Sequence, residues 1–164
     1  LFTLTVEPNA FRDTLSYFAS GVCVVTAVAD GGVPVGVTIS AFTSLSLEPP
    51  LILFCLGSET KNLGAFTGGT KFAVNILTED QADVSELFAS QNDDKFASVP
   101  CTGSSSGYPL LAGCLASLEC SLVTTHKGGD HVIVVGKVDR VRRSGESGPL
   151  LRYRGNYFRV GDTI

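Results

Sequence analysis

The chain has 164 residues, 44% of them hydrophobic and 17% charged, with 18 glycines and 7 prolines. This composition excludes an intrinsically disordered chain, and the length predicts a single domain over residues 1–164 that buries roughly two-thirds of the surface its unfolded form exposes. The formal net charge is −4, yet residues 1–136 hold five Lys and Arg against thirteen Asp and Glu, while residues 137–164 hold seven against three. An acidic chain without an interleaved basic module is not expected to bind nucleic acid. The basic tail reads either as an attractor for the phosphates of a small anionic ligand or as a solvated hairpin face.

No apolar run approaches the roughly 18 residues of a membrane-spanning helix, so no membrane partner is expected. The first ten residues, LFTLTVEPNA, lack a basic patch followed by a long apolar stretch, so no secretory signal is expected either. Cys23, Cys55, Cys101, Cys114 and Cys120 are odd in number and include no C-x-x-C pair. That pattern argues against a disulfide framework and against a four-thiolate zinc site, and it fits a reducing cytoplasm. Cys23, Cys114 and Cys120 are expected to act as small apolar core residues. A zinc site assembled from His126, His131, Cys114 and Cys120 lacks ligand spacing that converges.

Phe11, Leu15 and Phe18 recur at helical spacing and predict an amphipathic helix from Pro8 to Ser20, started by Pro8 and stopped by Gly21. GVCVVTAVA from Gly21 to Ala29 is β-branched and apolar; Asp30-Gly31-Gly32 then supplies a turn, and Val33–Ser40 completes a hairpin. Further strands are predicted at Leu51–Leu56, Lys71–Leu77, Leu115–Thr125, His131–Val141 and Leu150–Val160. His126 falls in the turn between the third and fourth of these. Helices are predicted at Glu59–Phe66 and at Glu79–Ser90, where Val84, Leu87 and Phe88 share a face and Thr78 is placed to cap. Ser98–Gly107, SVPCTGSSSG, reads as a surface loop. Strands outnumber helices and come as hairpins, which predicts an antiparallel barrel with peripheral helices.

The most unusual stretch is Gly36–Pro50, GVTISAFTSLSLEPP, where Thr38, Ser40, Ser44 and Ser46 are separated by even spacings. On an extended chain the four hydroxyls share one face, either a polar surface for a planar ligand or an ordinary exposed strand face. This segment, preceded by FASGVCVVTA and followed by LGSETKNLGAF, KFAVNIL, GDHVIVVGKV and PLLRYRGNYFRV, resembles the short-chain flavin reductases, the reductase components of two-component flavin-dependent monooxygenases. The resemblance runs in order from about Phe11 to Val160 and rests on the series of motifs.

The resemblance implies a mainly β, antiparallel Greek-key split barrel, usually a homodimer, that uses NADH or NADPH to reduce FMN or FAD and passes the reduced flavin to a partner monooxygenase. No G-x-G-x-x-G lies between a strand and a helix to suggest a Rossmann site. Carried over by position, the motifs put Thr38, Ser40, Ala41, Phe42, Ser44 and Ser46 around the flavin ring and ribityl chain. Cys55 and Leu56 supply backbone contacts, and Thr60, Lys61 and Asn62 lie near the phosphate. His131, otherwise a structural residue at a strand entrance, is placed on the nicotinamide side. Tyr153 and Tyr157 sit in the closing segment, where Tyr157 lines the nucleotide groove or packs on the barrel with its hydroxyl bonded. Ser40 stands where several relatives have Asn.

Hydride transfer asks for two parallel rings about 3 to 3.5 Å apart and shielded from water, with no strong acid or base. A chain rich in Ser, Thr and Gly and poor in His suits that positioning role, so no catalytic residue is assigned. A non-catalytic flavin- or haem-binding split-barrel carrier or sensor is the competing reading.

Overall fold

The structure, a computed structural model, describes residues 6–103, 107–144 and 146–163. In chain order the elements are α1 (Pro8–Leu15), β1 (Ser20–Gly21), β2 (Cys23–Ala29), β3 (Val33–Ile39), β4 (Phe42–Leu47), β5 (Pro50–Gly57), α2 (Leu63–Thr67), β6 (Lys71–Ile76), α3 (Ala82–Ala89), β7 (Cys101–Gly103), β8 (Pro109–Leu111), β9 (Ala116–Gly128), β10 (His131–Arg143), β11 (Leu151–Tyr153) and β12 (Asn156–Phe158).

Seven strands form one antiparallel sheet in the order β3-β2-β6-β9-β10-β5-β4. Its two edge strands, β3 and β4, are joined by only Ser40 and Ala41. So short a link curls the sheet and brings its two edges near each other, in keeping with the antiparallel barrel that the hairpin pattern predicts and the split barrel that the resemblance implies. The β2–β3 turn works because Gly31 and Gly32 adopt φ of 80° and 79°, a region that other residues rarely enter.

Alternate residues of the strands divide between the barrel interior and the outer face, where Ala73 also forms a small cluster with Tyr108 and Leu110. Val25, Val35, Phe54, Phe72 and Val134 fill the barrel, and Phe66 of α2 packs into the same cluster. A Cβ on Gly136 would collide with the Phe72 ring, so the glycine is what lets that ring in. On the outer face, Val22 and Val24 meet Phe88 of α3 together with Leu77, Leu111 and Leu150. Burial at these positions supplies most of the folding free energy, about 1.5 to 3 kcal/mol per large side chain.

Asn75, fully buried on β6, ties the β7–β8 hairpin to the sheet. Its Nδ2 donates to the Val24 carbonyl at 3.1 Å and to Thr26 Oγ1 at 3.2 Å, and its Oδ1 accepts from the Leu111 N–H at 3.1 Å and from Ser117 Oγ at 3.2 Å. Thr26 Oγ1 in turn donates to the Pro109 carbonyl at 2.6 Å.

Several elements differ from expectation. Helix α1 stops at Leu15, because Tyr17 and Phe18 donate to carbonyls three residues back and the chain then swings to let Ser16 accept from the Arg154 N–H at 2.9 Å. The predicted helix at Glu59 begins only at Leu63, since Asn62 holds a left-handed φ of 58° that no continuing helix tolerates. Thr78 does not cap α3; its N–H donates to Gln81 Oε1 at 3.1 Å, and Gln81 Nε2 donates to Ala112 O at 3.0 Å. Strand β9 runs on to Gly128, so His126 is a strand residue opposite Ile133 rather than part of the turn. The predicted Ser98–Gly107 loop contains β7, paired with β8, while Ser104–Ser106 lie outside the described residues. The last predicted strand, Leu150–Val160, is the hairpin β11–β12 turned at Arg154-Gly155.

Candidate functional site

The hydroxyls of the 36–50 segment do not share one face. Thr38 pairs with Val24, whose side chain lies in the outer core, and Thr38 Oγ1 donates to the Ser85 carbonyl of α3 at 2.7 Å. Leu45 bulges out of β4, so Ser44 sits opposite Ile52 and Ser46 opposite Leu51. Neighbouring residues of β5 point to opposite sides of the sheet, and the bulge therefore sends the two serines to opposite sides as well. Ser40 lies at the bend between the edge strands and is exposed. Phe42, opposite Phe54, packs on the barrel core. Ala41 accepts the Cys55 N–H at 3.0 Å, and Leu56 is buried opposite Val132, so the backbone of Cys55 and Leu56 is largely committed to the sheet.

Three depressions hold several of the predicted residues. One, of about 370 Å³, is lined by Arg12, Ser16 and Phe18 near α1, by Ser40, and by Arg152, Tyr153 and Gly155 of the closing hairpin. A second, of about 180 Å³, is lined by Gly36 and Val37 of β3, Thr60, Lys61, the end of α3 and Lys95. A third, of about 440 Å³, shares Arg152 and Gly155 with the first and Ala89 and Ser90 with the second, and Tyr157 lines it. The shared residues set the three in a row along α3 and the β11–β12 hairpin, a segmented groove with Ser40 and Tyr153 at one end and Thr60 and Lys61 at the other. Asn62 stands apart, lining a cavity of about 470 Å³ beside Ala29, Asp30, Gly68 and Gly69.

Side-chain contacts fix the walls. Tyr153 meets Tyr17 edge to face at 6.2 Å and Phe158 at 5.9 Å. The Tyr157 hydroxyl bonds Ser85 Oγ at 2.8 Å, and the Arg152 guanidinium lies 5.5 Å from the Tyr157 ring centre. Tyr157 shows features of both sequence readings: its hydroxyl is bonded and its ring lines the groove.

His131 opens β10 opposite Gly57, and its Nδ1 is 2.7 Å from Asp130 Oδ1. With that nitrogen donating to the carboxylate, Nε2 is the ring atom turned toward Gly57, where an added Cβ would lie 4.0 Å from it and 3.7 Å from Thr60 Oγ1. His131 thus neighbours Thr60, at the cationic end. The hydrogen bond from His131 holds the Asp130 carboxyl below its usual range.

Lys61 is ion-paired with Asp93, and Lys95 donates to the Phe88 carbonyl at 2.9 Å. Partial burial first, and the Lys61 charge second, lower the Lys95 pKa. Lys95 and Arg12 are the groove residues that sequence reasoning missed. Lys95 sits in the polar run QNDDKF, which looks like an ordinary solvated loop, and only the fold brings it to Lys61. The basic tail is dispersed rather than pooled: Arg142 pairs with buried Glu119 at 3.1 Å, and Arg159 with Glu79 and Asp80, while Arg152 faces the groove.

Residues 15–161 match the flavin reductase like domain. The chain belongs to that family. It is 42% identical over 152 residues to the reductase subunit HsaB of a flavin-dependent monooxygenase from Rhodococcus jostii, covering 93% of this chain and 77% of that protein. The structure of Streptomyces globisporus NADH:FAD oxidoreductase SgcE6, in complex with NAD and FAD fragments, superposes with a TM-score of 0.89 at 34% identity, covering 96% of each chain. A crystal structure of an oxidoreductase from Sinorhizobium meliloti 1021 gives a TM-score of 0.90 at 42% identity, and this chain spans 54% of that one. As a flavin reductase family member the chain is an oxidoreductase of the two-component monooxygenase type, which sets aside the carrier reading. Among the described residues no helix is long and apolar enough to cross a membrane.

Proposed function

We propose that this flavin reductase binds FMN or FAD in the groove along α3, reduces it with NADH or NADPH, and supplies it to a flavin-dependent monooxygenase, working as a cytoplasmic homodimer in which residues 1–164 act as one domain. The observation that carries the proposal is the groove itself. Its Ser40–Tyr153 end offers a hydroxyl and ring surface, and its Thr60–Lys61–Lys95 end offers a hydroxyl and two ammonium groups. A planar ring joined by a polyhydroxyl chain to a phosphate has that same sequence of chemistries. SgcE6, by its name, uses NADH and FAD, and HsaB, by its name, is a monooxygenase subunit. Those two names support the donor and partner assigned here.

Bound in this groove, the flavin supplies the hydride acceptor. The chain's own residues then have positioning tasks. Ser40 would offer its hydroxyl to a ring edge placed at its end of the groove, and the Tyr153 ring would wall that end. Thr60 and Lys61 would hold the phosphate, through a hydroxyl and an ammonium donor. His131, oriented by Asp130, presents Nε2 to the nicotinamide nucleotide beside Thr60. Ala41 and Phe42 set the bend that places Ser40, and Cys55 fixes it by donating to Ala41. Ser44, Ser46, Leu56 and Asn62 lie outside the groove; they join the site only through a second copy of the chain or by shaping its rim.

Anaerobic steady-state kinetics with the four pairings of FMN or FAD with NADH or NADPH test the proposal. Turnover with at least one pairing is expected, and tight flavin binding without turnover in any of them returns the chain to the carrier reading.

A further inference from the structure

Two pairs of arginines in the basic tail are held in opposite ways. Arg142 and Arg159 reach carboxylates, the first that of Glu119 and the second those of Glu79 and Asp80. Arg152 and Arg154 make no ion pair among the described residues. Each lies against a tyrosine ring instead, Arg152 at 5.5 Å from the centre of Tyr157 and Arg154 at 4.7 Å from that of Tyr17. A ring orients a guanidinium and leaves its charge standing, whereas a carboxylate cancels it. Both rings are themselves supported, Tyr157 by the bond of its hydroxyl to Ser85 Oγ at 2.8 Å and Tyr17 by its edge-to-face contact with Tyr153.

Arg12, in the last turn of α1, also has no carboxylate partner among the described residues. It lines the cavity of about 370 Å³ together with Arg152, Arg154, Ser40 and Tyr153. Asp13 is the acidic residue on the same lining, so three guanidinium groups stand against one carboxylate and the cavity is positive. Its volume exceeds the roughly 300 Å³ at which ligand pockets begin, so it has room for a fused ring system. An oxidised flavin ring is neutral. A hydride carries two electrons and one proton, so a ring that accepts one gains a net negative charge, and the donor's nicotinamide leaves with the compensating positive charge. Fixed cations beside the ring therefore favour the product of the transfer over its starting point.

We propose that Arg12, Arg152 and Arg154 form a cationic wall that makes the Ser40–Tyr153 cavity bind the reduced flavin ring more tightly than the oxidised one, and so raises the midpoint potential of the bound flavin. The wall rests on the reading of the groove as the flavin site. It gives the tyrosine supports a task beyond packing: they aim charge at the ring without neutralising it.

The affinities of oxidised and of dithionite-reduced FMN, measured anaerobically by equilibrium dialysis, test the wall against the full chain. The midpoint potential of the bound flavin, measured by dye-equilibrated reduction, is a second readout, because a tenfold change in the ratio of the two affinities is about 30 mV for a two-electron couple. The parent is expected to bind reduced FMN the more tightly. Arg12→Gln is expected to lower the ratio about threefold, and Arg12→Gln with Arg154→Gln about tenfold, with the affinity for oxidised FMN moving by less than about twofold. Arg12→Lys is expected to retain most of the ratio, and the effect of Arg12→Gln is expected to shrink in about 1 M salt, where the Debye length falls to about 3 Å. Arg143→Gln, exposed at the end of β10 and outside the groove, is expected to change neither readout. Should Arg154→Gln loosen the hairpin, Arg12→Gln decides alone, since Arg12 is exposed. Equal weakening of both redox states, or a ratio unmoved or raised in Arg12→Gln, overturns the wall. A parent that binds both states equally overturns the wall alone; a parent that binds neither overturns the flavin reading with it.

Discussion

A buried thiol and an oriented imidazole show how little reactive chemistry this chain places in its own interior. Burial pushes the Cys23 and Cys120 thiols up to about 12 and Cys114 up to about 11, from an ordinary value of 9.0, so these sulfurs are packing atoms and not nucleophiles. Each group binds its proton more tightly folded than unfolded. The associated stability is fully present below about pH 9 and is lost as pH rises toward about 11 to 12. Thermal unfolding midpoints are expected to fall steadily above pH 9, and the decline should flatten when the three cysteines are replaced by alanine. His131 is the residue that chemistry can use, because Asp130 fixes its ring and its side chain is half exposed. His131→Ala is expected to raise the KM for the reduced nicotinamide about three- to tenfold while changing flavin affinity much less, as measured by steady-state kinetics and flavin titration. Unchanged nicotinamide kinetics would make it a structural residue at the strand entrance.

The strands were legible because alternation and turn chemistry are local. Gly31-Gly32 and Gly128-Gly129 mark two hairpins by residue type alone, and the runs at β2, β5, β6, β9 and β10 are β-branched or apolar enough to declare themselves. Of the residues the motif resemblance singles out, Ser40, Thr60, Lys61 and Tyr153 line the groove proposed as the site. What sequence spacing missed are facts of pairing. One bulge at Leu45 reverses the phase of Ser46 relative to Ser44, and an even-numbered pattern cannot reveal it. Lys95 lines the same cavity as Lys61 because the chain after α3 lies beside β3, where its ammonium meets the Gly36 carbonyl, far away in sequence. The same non-local logic governs Asn75, whose amide joins β2, β9 and the β8 strand. Asn75→Ala removes those bonds and leaves buried donors and acceptors unmatched, at a cost of about 2 to 4 kcal/mol in unfolding free energy by chemical denaturation. A cost below about 0.5 kcal/mol would mean that the hairpin is held by its apolar residues alone.

Across the whole molecule, exposed apolar side chains are concentrated where one barrel cannot cover them. Phe11, Leu15 and Phe18 around α1 are 58%, 51% and 78% exposed, and Leu47 on edge strand β4 is 93% exposed. An amphipathic helix with no buried residue and an uncovered sheet edge both call for a second surface. Sedimentation at micromolar concentration is expected to show a dimer, and Phe18→Asp together with Leu47→Asp is expected to shift it toward monomer. A monomeric parent would leave those apolar residues free for the oxygenase instead.

The groove along α3 as the place where flavin is held and reduced is tested most directly by anaerobic bleaching of flavin absorbance under NADH or NADPH, using catalytic amounts of the parent chain and of Ala89→Trp. Ala89 is exposed and lines both the central and the cationic depressions, so an indole there fills the passage between them without entering the core. Many turnovers by the parent, and a flavin KM raised at least about tenfold in Ala89→Trp with an unchanged unfolding temperature, are the predicted result. Bleaching that is absent in the parent, or that proceeds equally well with the groove filled, would contradict it.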